Sequence, residues 1–473
     1  MRNQLLAMVS AVLLAACAVG PDYHRPEVAT SDQFVGTDAA RFSTQDVERE
    51  FWKQFNDEQL NELIERALVA NHDIRIATSR LREARALRGQ AKLDLAPTVT
   101  ASSGYTKARA SDRQLGPLQN VDREQDFYDS GFDAFWELDF FGRVRRGVEA
   151  STAQLQSAEA SVYATQVSVT AEVARNYFEL RGAQEQLEVA RRNAENQGET
   201  VRITTARLDA GRGTQLDASR AQAQLSATLA TIPDLEAGVT RSMLRLGVLT
   251  GQQPESVVPQ LSAAKPLPTL PVAHDIGTPE LLLRRRPDIR VAERNLAAST
   301  AEIGVAVGDL FPRITFLGHW GYDAVSSSAL GNTGSETFSF GPSISWAAFD
   351  LGRVRQKIAQ REAAADGALA KYEQTVLQAL EETDASLTAY SKAIVKQQHL
   401  QTSANASLEA AKLARARYEN GVADFLQVLD AERTALAAED QLARSETQTA
   451  TALLATYKAL GGGFRPIATT AAR

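Results

Sequence analysis

Few side chains in this chain of 473 residues are arranged for covalent chemistry. The histidines, His24, His72, His274, His319 and His399, are scattered, with no pair at ligand spacing. One cysteine, Cys17, excludes an internal disulfide and any Cys-based metal site of standard spacing. Gly211-Arg-Gly213 is too isolated a glycine pair to cradle a phosphate, and no nucleophile–base pattern accompanies it. The sequence therefore predicts no enzyme, no catalytic residue and no metal. What remains is electrostatics. Asp217 lies six residues beyond Gly211, and Asp424 and Asp430 lie three and nine beyond Gly421. Carboxylates gathered into a ring select cations and repel one another when the ring narrows. A formal charge of −7 without a basic face argues against a nucleic-acid partner.

Cys17 calls for a different chemistry. Arg2 gives a positive start, Leu5 to Ala16 form an apolar run, and small residues precede the thiol. About twelve apolar residues are too few to span a bilayer but suit a secretory signal. The order Leu14-Ala15-Ala16-Cys17 resembles a bacterial lipobox, in which the thiol is acylated and cleavage makes the cysteine the new N-terminus. Ala18, where an aspartate would retain such a protein, implies sorting to the outer membrane. Cys17 is thus expected to carry a covalent lipid such as palmitate, each buried methylene contributing about 0.8 kcal/mol to anchoring. No other cofactor is expected.

The elements that position these residues are organised by a repeat. Trp136-Glu-Leu-Asp-Phe-Phe-Gly-Arg-Val-Arg aligns with Trp346-Ala-Ala-Phe-Asp-Leu-Gly-Arg-Val-Arg at an offset of 210. The same offset carries Arg207 to Arg417, Gly211 to Gly421, Leu216 to Leu426 and Gly251 to Gly461. Upstream it becomes 215, relating Asp73-Ile74-Arg75 to Asp288-Ile289-Arg290 and Pro97 to Pro312. The change in offset falls between Pro97 and Trp136, an interval that must contain a loop. The chain divides into a lipoprotein signal peptide at 1–16, a lipidated segment at 17–56, a first repeat at 57–250, a linker at 251–277, a second repeat at 278–461 and a tail at 462–473.

Each repeat is rich in Ala, Leu, Gln, Glu and Arg, which favour helix. Val148, Leu155, Val162 and Val169 recur at sevens, as do Leu180, Leu187, Ala194, Val201 and Leu208 after a step of eleven. That is a heptad seam with a stutter, the pattern of long coiled helices. Gly211, Gly213 and Gly421 interrupt the runs where a helix cap and tight turn are expected. Each repeat predicts a helix of roughly 68 residues, a turn and a partner of roughly 37, with a preceding helix (57–95 in the first repeat) covering the remaining seam. Between the helices, 98–106, 127–136, 313–322 and 337–346 alternate aromatic or β-branched with small polar residues, as strands do. Their length of about ten suits a tilted membrane strand. With no run long enough for a spanning helix, only a closed barrel could cross lipid. Four strands cannot close around a lumen, so two, three or four chains must share eight, twelve or sixteen strands.

The chain is similar to the outer-membrane factor family, the TolC-like efflux ducts, and to its lipoprotein branch. The resemblance rests on Cys17-Ala-Val-Gly-Pro-Asp-Tyr23, Arg284-Arg-Arg-Pro-Asp-Ile289, the paired Gly-Arg-Val-Arg segments, and Tyr418-Glu-Asn-Gly421 through Leu429-Asp430-Ala431. It implies an α+β, mostly α, fold: a homotrimeric twelve-stranded transmembrane barrel, four strands per protomer, continued by a long α-helical coiled-coil barrel. It further implies a periplasmic membrane-fusion adaptor and an inner-membrane pump of the resistance-nodulation-division type as partners, with outer-membrane lipid around the barrel. The predicted function is a passive exit duct for small molecules. Protein secretion through the same fold, and a lipid-anchored coiled-coil scaffold without a pore, are the alternatives. Among site residues, the resemblance places Asp217 and Asp430 where related ducts keep gate carboxylates, and Tyr418 where hairpins are tied together. Gln427 and Ala423 depart from that pattern, leaving Arg207 or Arg212 to supply a gate cation.

Overall fold

A computed structural model describes residues 18–29, 31–35, 42–43, 45, 48–111, 123–271 and 274–465. Cys17 and the signal segment lie outside the described residues. In chain order the elements are β1 (Phe42–Ser43), α1 (Glu58–Ala70), α2 (His72–Leu93), β2 (Thr98–Arg109), β3 (Glu124–Glu137), α3 (Arg143–Asp209), α4 (Gln215–Leu249), α5 (Val258–Leu261), β4 (His274–Asp275), α6 (Pro279–Arg285), α7 (Pro287–Gly308), β5 (Arg313–Ala324), β6 (Glu336–Ser345), α8 (Leu351–Glu419) and α9 (Phe425–Ala459). The protein is mostly helical with a small sheet. Its contacts form two units, one drawn from 1–27, 80–159 and 291–373, the other from 28–79, 160–290 and 374–473.

The first unit holds an antiparallel sheet in the order β2-β3-β5-β6. Register sorts its side chains cleanly. Ala101, Phe132, Trp320 and Phe338 form one rung, and Thr100, Asp133, His319 and Ser339 form the next. Because side chains alternate along a strand, adjacent rungs face opposite ways. One face therefore collects Val99, Tyr105, Phe132, Trp320, Phe338, Phe340 and Ile344, every one of them exposed. The other collects Ser102, Asp129, Asp133, His319 and Ser343, with Phe127, Phe135 and Leu317 as its large apolar residues. Within the described residues, β2 and β6 each keep one unpaired edge. Strand and helix are clipped together twice in the same way. The Trp136 indole donates to the Leu95 carbonyl at 2.9 Å, and the Trp346 indole to the Leu310 carbonyl at 2.9 Å.

The 67-residue α3 and the 69-residue α8 each continue through a turn into a 35-residue partner, α4 or α9; residues 160–209 and 374–419 and both partners belong to the second unit. The heptad seam is buried from Val162 to Ala194 and half-buried at Val148, Leu155, Val201 and Leu208. Leu60, Leu63, Ile64 and Ala67 of α1 pack with Tyr177, Phe178 and Leu180 of α3, Leu246 of α4 and Leu453 of α9. Phe51 stacks on Tyr457 with ring centroids 4.8 Å apart. At Gly182, a Cβ would lie 1.9 Å from Thr447 Oγ1, so glycine lets α3 and α9 approach closely there. A short parallel pair, β1 with β4, also belongs to this unit.

The expected helix at 57–95 is in fact two helices. Asp57 caps the first, its carboxylate accepting from the Leu60 amide at 2.8 Å. The break falls at Asn71, which takes extended backbone angles. Its side chain is bound on both sides. Nδ2 donates to the Leu249 carbonyl at the end of α4 (2.9 Å), while Oδ1 accepts from the Asp73 and Ile74 amides that begin α2 (2.8 and 3.2 Å). One buried amide thereby joins two short helices where they meet end to end. In the second half Arg286 does the corresponding work, donating to the Ala459 carbonyl at 2.7 Å and pairing with Asp288 and Glu382. Replacing a buried group that satisfies one carbonyl and two amides leaves those groups orphaned. Asn71→Leu is expected to cost about 2–3 kcal/mol and to lower the thermal unfolding midpoint in detergent by several degrees. An unchanged midpoint would mean that the junction does not hold the helices.

Candidate channel gate

The two hairpin tips share one construction. At the end of α3, the Gly211 and Arg212 amides donate to the Leu208 and Arg207 carbonyls at 2.9 and 2.8 Å, with Gly211 at φ 69°. At the end of α8, Gly421 and Val422 donate to Tyr418 and Arg417 at 2.9 Å each, with Gly421 at φ 76°. A positive φ closes the helix end on its own last carbonyls, which glycine does without steric cost. Gly213 is confined differently, since a Cβ there would lie 3.0 Å from the Leu208 amide nitrogen.

The helices that leave these turns are capped by polar side chains. Thr214 Oγ1 accepts from the Asp217 amide at 3.2 Å and donates to the Asp217 carboxylate at 2.7 Å. Asp424 occupies the corresponding place before α9, its Oδ1 accepting from the Gln427 amide at 3.1 Å. Asp217 is half-buried, whereas Asp424 and Asp430 are exposed. Two of the three predicted carboxylates thus lie at helix N-termini, where the helix dipole favours negative charge. Asp430 lies two turns further along α9 and takes no ion pair among the described residues.

Tyr418 is buried in a cluster with Ala221, Phe425, Val428 and Leu429, its ring 5.7 Å from that of Phe425. Arg207 lies over the Tyr418 ring at 4.3 Å and donates to the Tyr418 carbonyl at 2.7 Å. This cation–π contact and hydrogen bond join the two hairpins within one chain. Arg212 is exposed at the tip. Two turns from the tips, sequence reasoning missed a second tie. Arg415 pairs with Glu432 at 2.5 Å and reaches Thr200 Oγ1 at 3.3 Å, while Thr200 donates to Glu432 at 3.0 Å. Its only sequence signal is an Arg and a Glu on facing helices, which becomes visible once the hairpin register is known.

The N-terminal motif has a structural place in the first unit. The Val19 amide donates to the Phe141 carbonyl at 3.1 Å, and Arg146 donates to the Val19 carbonyl and pairs with Asp22 at 2.7 Å. The Tyr23 hydroxyl donates to Glu293 at 2.7 Å beneath the Arg294 guanidinium. Burial pushes the Tyr23 hydroxyl above its usual range, reinforced by the Glu293 carboxylate. Burial also acts to raise the Glu293 carboxyl, but hydrogen bonds from Arg294 and Tyr23 outweigh it and hold the group below its usual value. Ala18 lies against Gly142, five residues beyond the end of β3.

The sheet is apolar on one exposed face and polar on the other, and two capped helical hairpins belong to the same chain. Proteins of known structure share this architecture. The family model described as outer membrane efflux protein matches residues 63–252 and again 278–462. Outer membrane protein OprJ of Pseudomonas aeruginosa is 31% identical over 465 residues, spanning 97% of this chain and 95% of that protein. Nodulation protein T of Rhizobium leguminosarum bv. viciae is 30% identical over 467 residues, spanning 98% and 94%. The solved structure of the outer-membrane channel OprN superposes with a TM-score of 0.89 at 44% identity, over 94% of this chain and 99% of its own. The chain belongs to the outer membrane efflux protein family.

The capping geometry separates two roles for Asp424. Asparagine caps a helix about as well as aspartate but carries no charge. If Asp424 acts only as a cap, Asp424→Ala destabilises the protein by about 1 kcal/mol and Asp424→Asn leaves channel currents unchanged. If its charge matters, both variants alter cation preference equally in planar bilayers.

Proposed function

We propose that three copies of this chain close their sheets into one twelve-stranded barrel in the outer membrane, and that their helices form a coiled-coil barrel on the periplasmic side. The protein then serves as the exit duct of a tripartite efflux system. Small molecules delivered by a resistance-nodulation-division pump through a periplasmic membrane-fusion adaptor pass along it without chemical change. The observation that carries this reading is the sheet. Its aromatic face is uncovered, its opposite face is polar, and its two outer strands have edges to pair. Lipid around the first, water within the second and neighbouring copies on the edges satisfy all three demands. Internal duplication is supported by the paired Trp clips, the paired glycine turns and the twofold family match.

The gate follows from the tips. In a ring of hairpins, Asp217, Asp424 and Asp430 would each be repeated around the inner mouth and favour cations. Arg207 on Tyr418 holds the two hairpins of a chain together, and Arg212, exposed at the tip, would be the cation offered to a neighbouring copy. Binding of adaptor and pump at the tips would part the hairpins and open the mouth. A lipid on Cys17 suits the seat of the following residues, since Ala18 lies where β3 gives way to α3 and an acyl chain there can enter the adjacent leaflet.

Three measurements test this reading. Electron microscopy of solubilised particles should show elongated hollow trimers; compact single-chain particles would refute it. In planar bilayers, Tyr418→Ala should raise open probability roughly five-fold or more, because it removes part of the bias toward the closed tip, and Asp430→Ala should alter cation preference. Unchanged currents in both would reject this gate. Cys17→Ala should leave the protein unlabelled by radioactive palmitate and weaken its retention in outer-membrane fractions.

A further inference from the structure

The polar face of the sheet carries one interaction that neither the gate nor the anchor uses. Asp133 of β3 and His319 of β5 are direct partners in the register, with His319 Nδ1 2.9 Å from Asp133 Oδ1. A carboxylate can only accept, so Nδ1 carries the proton and donates. The row extends to both outer strands. Ser102 of β2 donates to Asp133 Oδ2 at 3.3 Å, and Thr337 of β6 lies 3.5 Å from His319 Nε2. Four strands thus contribute one side chain each to a polar band crossing the sheet.

The charges around that band are few. On the same face β3 supplies Asp129 and Glu137, and β5 supplies Arg313 and Asp323. Glu137 is held by Arg143 and Arg313 by Asp309, both at the helix end of the strands. Asp129 and Asp323 stand opposite each other in the register, a like-charged pair. β2 and β6 place only Thr, Ser, Gly and Ala on this face. Beside the band, therefore, negative charge predominates, and the imidazole is the one group there that gains a positive charge on binding a proton.

We propose that the Asp133–His319 pair is a selectivity-determining element of the barrel lumen, separate from the hairpin-tip gate, favouring cations when the imidazole is neutral and losing that preference when it is protonated. The inference rests on the reading that this face lines a pore. With the imidazole neutral, the Asp133 carboxylate of each copy is uncompensated and attracts cations. A proton on His319 places a positive charge 2.9 Å from that carboxylate and cancels its field in the lumen.

The test measures reversal potentials of the full-length oligomer in planar bilayers under a potassium chloride gradient. Lowering the pH from about 8 to about 5 should reduce the potassium-to-chloride permeability ratio of the native protein about two-fold. His319→Gln should retain the high-pH ratio and lose that pH step, whereas His319→Lys should show the low ratio already at the higher pH. Oligomer mobility on unheated gels identifies variants that fail to assemble, and either His319 variant alone suffices. An equal pH step in an assembled His319→Gln channel, or a high ratio in His319→Lys, overturns this proposal while leaving the pore intact. No conductance from the native protein overturns the pore reading, and this inference with it.

Discussion

A strand edge within hydrocarbon has no water to take its amide and carbonyl groups, and the proposed barrel answers that constraint. Among the described residues, the β2-β3-β5-β6 sheet is paired internally at every shared edge and ends in two that are not. Its uncovered face presents Phe132, Trp320, Phe338, Phe340 and Ile344, residues whose exposure to water is unfavourable by about 25 cal/mol per Å² of apolar surface. In the proposed barrel, lipid covers that face and other copies of the same sheet pair with the edges.

The helices meet a different constraint, because long parallel packing must remain uniform over many turns. Small residues and hydroxyls supply it. Thr204, Thr383, Thr449 and Thr456 are buried, yet each hydroxyl donates to the carbonyl four residues earlier, so these four hydroxyls are satisfied within their own helices. Gly182 permits the close approach to Thr447. Junctions between short helices are handled by side chains that reach across to exposed carbonyls. Asn71 does so in the first half and Arg286 in the second, different residues satisfying the same unpaired helix end.

The tips combine stability and charge in the same groups. A helix beginning after a tight turn needs an acceptor for its first amides, and Thr214 and Asp424 provide it. Asp424 also brings a negative charge to the end of a hairpin, so its folding and electrostatic contributions come from one carboxylate. Asp430 lacks a capping role and contributes charge alone. Arg207 uses its guanidinium against the Tyr418 ring and carbonyl, which ties the two hairpins by a contact that can be broken without unfolding either helix.

Much of this was legible in the chain because it is local. Heptad spacing and alternation in four short stretches reflect the periods of 3.5 in coiled helices and 2 in strands, glycines at matched offsets reflect the repeat, and the predicted strands and long hairpins appear within a few residues of their expected ends. The break at Asn71 was hidden because asparagine in a helical run is unremarkable until the end of α4 is brought against it. The partners of Arg207, Arg415 and Arg146 lie about 211, 17 and 124 residues away, separations that carry no periodic signal. Likewise, alternation announced two-faced strands, but which aromatic residues share a face depends on register, and register is set by pairing between strands. Local sequence determined the elements and their polarity; only the tertiary structure decided which charges meet, because ion pairs and rungs form across chain separations that sequence order does not encode.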